Sequence, residues 1–154
     1  MAQATYQDAD LLLRVFEMRR EPKLRESRDF MGKLSFRDLD DFKRKHMNNR
    51  VVQLHWGKVF GYWEMVCTLV DRGLLNEDLF NATNNEHVWL WAKYRDPIRA
   101  FRERYGEPEM LASVERVALR HPWYQGMERW MMSEQQRARK PAKAKAPKAR
   151  RAAR

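Results

Sequence analysis

Cysteine, glycine and proline are all scarce in this chain. Its 154 residues include a single cysteine, Cys67, with six glycines and six prolines. A single cysteine excludes an internal disulfide and favours a reducing compartment. Runs of alternating β-branched residues are also missing, and so few glycines and prolines do not suit the many tight turns of a sheet protein. The sequence therefore favours helices.

No segment is apolar enough for a signal peptide or a membrane-spanning helix. The N-terminus lacks a basic start, and its longest apolar run is Leu11-Leu12-Leu13. The most hydrophobic stretch, residues 51–70, contains Lys58 and Glu64. Opposite charges inside such a window disfavour insertion into lipid. These features predict a soluble, cytoplasmic protein.

Motifs of enzymes are absent as well. There is no nucleophile-elbow serine motif and no glycine-rich phosphate loop. The histidines, His46, His55, His87 and His121, show none of the spacings of helical metal sites. Cys67 falls in the apolar part of a helix, where a buried, inert thiol is expected. We predict a non-enzymatic protein with no catalytic residue, no cofactor and no metal.

The charges of the chain are segregated. Residues 137–154 read RARKPAKAKAPKARRAAR, with nine Lys or Arg, seven Ala, two Pro and no acidic or aromatic residue. The whole chain holds 31 basic and 21 acidic residues, so residues 1–136 hold 22 basic and 21 acidic ones. The isoelectric point of about 10.0 is therefore a property of the C-terminal segment.

This basic segment is typical of a disordered arm that binds polyanions. Small alanines between the cations allow it to follow phosphates, and counterion release makes such binding independent of base sequence. It has no aromatic side chain to stack on bases. The open alternatives are a solubilising role and attraction to anionic lipid or acidic proteins. The predicted nucleic-acid-binding residues are Arg137, Arg139, Lys140, Lys143, Lys145, Lys148, Arg150, Arg151 and Arg154.

Residues 1–136 predict an all-α domain, a compact multi-helix bundle with a long central helix. Thr5 and Asp8 have the spacing of a capping box, and Asn76 suits a helix cap. The central helix is predicted over residues 50–72, with Gly73 after its end.

Prolines indicate further helix boundaries. Asp96-Pro97 predicts a break or sharp kink, with Asp96 as the cap of the following helix. Glu107-Pro108 and His121-Pro122 predict two more helix starts. The last helix carries four large apolar residues: Trp123, Met127, Trp130 and Met131.

The central helix carries the candidates for packing and chemistry. It is expected to be the most buried helix, with Trp63 in the core. Gly57 and Gly61, four residues apart, predict close approach of another helix inside the bundle, with a dimer interface as the alternative. Glu64 is expected to be partly buried and to pair with a neighbouring arginine, while a general acid or base is the alternative. The arginines considered are Arg14, Arg95 and Arg99.

Trp89 and Trp91 cannot share a helix face, because two residues turn a helix by about 200°. We expect Trp91 in the core. Trp89 is either buried on the other side or exposed near Lys93 and Arg95, where it would contact a partner protein.

The segment Tyr62–Val66, the run Leu69–Phe80 and the later Trp91 resemble a bacterial family of small helical proteins catalogued as a domain of unknown function. The similarity is best over residues 50–95 and extends loosely over residues 6–130. The resemblance implies an all-helical fold and no activity. Many members carry an N-terminal membrane helix that has no counterpart in this sequence, so membrane attachment is not implied.

Two functions from different classes are compatible with these features. The leading hypothesis is a helical protein whose basic segment binds nucleic acid weakly and non-specifically, while its body contacts another protein. The alternative is a regulatory or scaffolding module without a nucleic-acid role, in which the basic segment serves solubility or docking to anionic surfaces. An enzyme with a site around Glu64 is a third hypothesis.

Overall fold

The computed structural model describes residues 3–139, which contain eight α-helices and no strand. The all-α prediction is therefore confirmed for this part of the chain. The helices are α1 Tyr6–Arg19, α2 Pro22–Lys33, α3 Leu39–Lys45, α4 Arg50–Asp71, α5 Glu77–Thr83, α6 Glu86–Tyr105, α7 Ala112–Arg120 and α8 Tyr124–Arg139.

Polar caps begin several helices where the sequence predicts them. The side chain of Thr5 accepts the N–H of Asp8, and the Asp8 carboxylate accepts the N–H of Thr5. At the start of α5, the Asn76 side chain accepts the N–H of Leu79. Gly106 follows α6 with φ of 66°, a left-handed conformation that glycine adopts without a Cβ clash. Local chemistry therefore fixes these boundaries.

The core lies between α4 and α6, where aromatic rings from α4 meet those of α6. The ring of Trp56 lies 5.4 Å from that of Tyr94 and 5.1 Å from that of Phe101. The hydroxyl of Tyr94 donates to the carbonyl oxygen of Met31 at 2.6 Å, which ties α6 to α2. Trp63 is completely buried, as predicted.

Of the break or sharp kink predicted at Asp96-Pro97, the break is wrong. α6 is continuous with Pro97 inside it. An interior proline costs an isolated helix about 3 kcal/mol, but Pro97 is buried and α6 packs on α3, α7 and α8. Tertiary packing thus stabilises the helix through the proline. Asp96 is not a cap and lies 3.7 Å from Arg95 and 3.9 Å from Arg99.

The two other helices predicted to begin at a proline begin a few residues later. Pro108 and Pro122 lie in turns, and α7 and α8 begin at Ala112 and Tyr124. α8 then continues through Arg139, three residues into the segment predicted to be disordered. The remainder of that segment, residues 140–154, lies outside the described residues.

The central helix is not the most buried one, contrary to expectation. Ten of the 20 residues of α6 are buried, against eight of the 22 in α4. On α4, Val51 and Leu54 are 54% and 58% exposed. Gly57 and Gly61 are exposed too, and the space for a Cβ at either position is free of other atoms within 4 Å. The helix crossing predicted at these glycines is therefore absent from the described part of the bundle.

Candidate functional site

A groove opens where the connection between α2 and α3 faces α6 and α8. Its aromatic end is lined by Trp89 of α6, Trp130 of α8 and Leu34, and encloses about 340 Å³. Trp89 is partly buried, whereas Trp130 is an exposed residue, with 50% of its surface accessible to solvent. The candidate partner contact, Trp89, thus lies in a concave surface with a second tryptophan from another helix.

The groove continues past Phe36, Lys93 and Met131, which line both of its ends. Beyond them lies a cavity of about 350 Å³. We call it the acidic end, because it is lined by the carboxylates of Asp38, Asp40, Asp96 and Glu128. Together the two ends form one surface that is mainly apolar at the aromatic end and polar at the acidic end.

Lys93 separates the two ends and is engaged by the protein itself. Its ammonium donates to the carbonyl oxygens of Met31 and Gly32 at 3.2 and 3.1 Å, which satisfies acceptors in the last turn of α2. It also lies 4.8 Å from the centre of the Trp89 ring. Burial lowers the pKa of Lys93 to about 8. Lys93 therefore fixes the Trp89 ring and the end of α2 in place.

Two adjacent carboxylates of α3 differ in their cation partners. Asp41 is buried and accepts hydrogen bonds from Arg44 and from Lys45, with Arg37 3.5 Å away. The bond from Lys45 is the main cause that lowers the pKa of Asp41 to about 2. Asp40 is exposed, and no cation of the described residues pairs with it. Its charge is therefore available to the groove.

A buried polar cluster lies at the start of α6. Glu86 accepts hydrogen bonds from Arg19 at 2.5 Å and from Arg28 at 2.7 Å. Burial opposes ionisation of Glu86, but these arginines outweigh it and lower the pKa. Next to it, His87 packs on the ring of Trp63, and neither of its ring nitrogens has a partner among the described residues. Burial lowers the pKa of His87 to about 3, so the imidazole is neutral.

Glu64 caps a neighbouring helix. Its carboxylate oxygens accept the N–H groups of Ser113 and Val114 at 3.1 and 3.0 Å, in the first turn of α7. Leu111, which precedes α7, has φ of 59° and provides no side-chain cap, so Glu64 supplies the missing acceptor from α4. Its partial burial is confirmed. The predicted pairing is wrong for all three arginines considered, Arg14, Arg95 and Arg99.

Cys67 is completely buried in α4, and burial raises the pKa of its thiol. Within residues 3–139, no group of three or more His, Cys, Asp or Glu side chains could hold a metal ion. In the same range, no helix is long and apolar enough to cross a membrane.

Two of the nine predicted nucleic-acid-binding cations lie on α8. Arg137 is 2.8 Å from the carboxylate of Glu134, and Arg139 is the last residue of the helix. Both residues belong to the helix that also carries Trp130. The other seven lie outside the described residues: Lys140, Lys143, Lys145, Lys148, Arg150, Arg151 and Arg154.

The sequence did not reveal the groove. Trp89 and Trp130 are 41 residues apart, and no spacing indicates that they are neighbours. Trp130 and Met131 are adjacent among the apolar residues of the last helix, but only Met131 is buried. A local signal existed for Lys93, since residues four apart on a helix face each other and Trp89 precedes it by four.

A family model described as "Domain of unknown function (DUF4760)" matches residues 4–121. The match includes α1 to α7 and ends before α8, so Trp89 lies inside it whereas Trp130 and the basic segment lie outside. The expectation of a helical family without an assigned activity is confirmed. Comparisons with curated proteins and with solved structures gave no significant match.

Proposed function

This chain belongs to the DUF4760 family of domains of unknown function, and since that membership supplies no activity, we propose its function from its own residues. It is a non-enzymatic cytoplasmic protein that binds nucleic acid weakly and without sequence preference. The cations of residues 137–154 contact the phosphates, and the helical body contacts a protein segment at the groove that contains Trp89.

The segregation of charge carries this proposal. In the body, cations are balanced by nearby carboxylates: Glu86 engages Arg19 and Arg28, and Asp71 engages Arg116 and Arg120. In the basic segment, by contrast, no acidic residue occurs after Glu134. Cations without nearby carboxylates, in a segment that has no aromatic residues, bind phosphates through counterion release.

The test is a salt titration of binding to labelled duplex DNA and single-stranded RNA. The tail-neutral variant replaces the seven cations beyond Arg139 in the full chain: Lys140→Gln, Lys143→Gln, Lys145→Gln, Lys148→Gln, Arg150→Gln, Arg151→Gln and Arg154→Gln. If all seven engaged duplex DNA, log K would fall with log salt with a slope of about −6. We expect about half of that, because the seven cations will seldom all contact phosphates at once, and loss of most binding in the variant.

The matched control removes seven exposed cations from the body instead: Arg20→Gln, Lys23→Gln, Arg25→Gln, Lys43→Gln, Arg50→Gln, Lys58→Gln and Arg72→Gln. It should retain most of the affinity and of the salt slope. Equal losses in both variants would refute a specific role of the basic segment. Binding to anionic vesicles, but to neither nucleic acid, would favour the alternative of docking to anionic surfaces.

A further inference from the structure

The carboxylates at the acidic end of the groove favour a cationic segment as its binding partner. Building on the proposed function, we infer that residues 140–154 of the same chain dock into this groove, with cations at the acidic end and alanine and proline against the apolar lining. The protein segment that the body contacts is then its own basic arm.

Charge complementarity supports this occupant. The groove is lined by five carboxylates, from Asp38, Asp40, Asp96, Glu128 and Glu134, against three cations, from Lys33, Lys93 and Arg95. Two of these carboxylates are balanced by cations, because Arg95 pairs with Glu128 and Arg137 with Glu134, while Lys93 donates to backbone carbonyls. Asp40 pairs with no cation of the described residues. Asp96 forms only long ion pairs, 3.7 Å from Arg95 and 3.9 Å from Arg99. Such a surface repels phosphates and attracts Lys and Arg.

The apolar part of the groove suits the composition of the arm. Between its cations the arm carries only alanine and proline, which fit beside Trp130, Met131 and Leu34 without a buried polar group. Trp130 is also 50% exposed, and an exposed indole attracts a lysine or arginine through a cation–π contact. The groove therefore favours this segment over a purely polar one.

The length of the chain permits the contact. Met132 lines the acidic end and lies seven residues before Arg139, the end of α8, which is about 10 Å along the helix. Fifteen residues follow Arg139 in the sequence and reach up to about 50 Å when extended. A return along α8 thus uses a fraction of the available length.

Docking has a measurable consequence for nucleic-acid binding. Cations in the groove cannot contact phosphates, so the two contacts exclude one another. The apparent affinity for nucleic acid is divided by a factor of one plus a ratio. The ratio is the effective concentration of the segment at the groove over the dissociation constant of the groove contact. With an effective concentration on the order of millimolar and a weak, solvent-screened contact, this factor is about twofold to tenfold.

The first experiment measures RNA affinity of the full chain with Asp40→Asn and Asp96→Asn. The control, Glu26→Gln with Glu103→Gln, removes the same charge at exposed positions outside the groove. We expect the groove variant to bind about twofold to tenfold more tightly than the control, and the difference to vanish in high salt. Equal affinities of groove variant and control would overturn the inference.

A second readout needs no nucleic acid and keeps the two proposals separable. The indole N–H signals of Trp89 and Trp130 in ¹⁵N spectra should shift between the native chain and the tail-neutral variant, and Asp40→Asn with Asp96→Asn should reproduce that shift. The signal of Trp63, buried in the core, should not move.

Unmoved signals of Trp89 and Trp130 would refute the inference even if the basic segment binds nucleic acid. Shifted signals without any nucleic-acid binding would sustain it and refute the proposed function. Shifts that grow with protein concentration would show that the arm docks on another copy and would overturn the assignment to its own groove.

Discussion

The two longest helices, α4 and α6, reverse the burial that their compositions suggest. α4 comes from the most hydrophobic stretch of the chain, yet it leaves Val51, Leu54 and both of its glycines in solvent. α6 contains eight charged residues and a proline among its 20 residues, yet half of it is buried. Consecutive buried residues, Leu90, Trp91 and Ala92, lie about 100° apart around the helix.

The difference shows that burial depends on where the neighbours pack. α3, α7 and α8 contact α6, and its charged side chains extend to the rim, where Arg95 pairs with Glu128 and Arg102 with Glu115. α4 packs on α2, α5 and α7 and meets α6 through its aromatic rings, which leaves the side with Gly57 and Gly61 open. Two helices of similar length can therefore differ in role, one enclosed and one with a free face.

The largest expected effect is the loss of a core tryptophan from either helix. Trp63 of α4 and Trp91 of α6 are both completely buried. Trp63→Ala and Trp91→Ala should each lower the free energy of unfolding by about 3–5 kcal/mol, because the surrounding core cannot refill so large a void. Denaturant unfolding measures both. Trp123→Ala is the control, since Trp123 is 59% exposed and its loss should change stability by less than about 1 kcal/mol. A small effect at Trp63 would contradict the assignment of α4 to the core.

The next effect belongs to α6 and depends on pH. His87 has its pKa lowered to about 3 by burial, whereas an unfolded histidine titrates near 6.5. Below about pH 6.5 the unfolded chain takes up a proton that the folded chain does not, so stability should fall by about 1.4 kcal/mol per pH unit. His87→Phe should remove this slope between pH 6.5 and 5, above the range where Glu86 becomes protonated.

The same variant at pH 8 provides the control for packing. Neither ring nitrogen of His87 has a partner among residues 3–139, so phenylalanine removes no hydrogen bond, and its stability at pH 8 should stay within about 1 kcal/mol of the native value. An unchanged acid slope in His87→Phe, measured by thermal unfolding at several pH values, would show that another group controls it.

Signals between neighbouring residues predicted the helical fold well. Predictions that depend on contacts between distant parts of the chain failed. Thr5 and Asn76 cap their own helices through neighbours three residues away, so their roles can be recognised from spacing alone. Pro97 was misjudged because the packing that keeps α6 continuous comes from distant segments. The groove was missed for the same reason, since its walls come from three separate parts of the chain.

Glu64 has one feature that the local sequence predicts and one that depends on a distant helix, and it gives the third prediction. Its partial burial followed from its position in α4, but the N–H groups that donate to its carboxylate lie 49 and 50 residues away in α7. Glu64→Ala should cost about 1–2 kcal/mol, because two N–H groups of the first turn of α7 lose their acceptor. Glu64→Gln keeps one acceptor oxygen and should lose less. Urea unfolding measures the two, and equal losses would show that charge, not capping, accounts for the effect.

The smallest effect tests whether the glycine face of α4 is open. Gly57→Ala and Gly61→Ala should each raise the free energy of unfolding by about 0.5–1 kcal/mol, since alanine has the higher helix propensity and the space for its Cβ is free. Gly106→Ala is the matched control: its φ of 66° strains a side chain, so that variant should lose about 1 kcal/mol. Thermal unfolding at two protein concentrations distinguishes the outcomes. If Gly61→Ala destabilises the protein, and more so at the higher concentration, a second copy covers this face, and the contrast between an open α4 and an enclosed α6 fails.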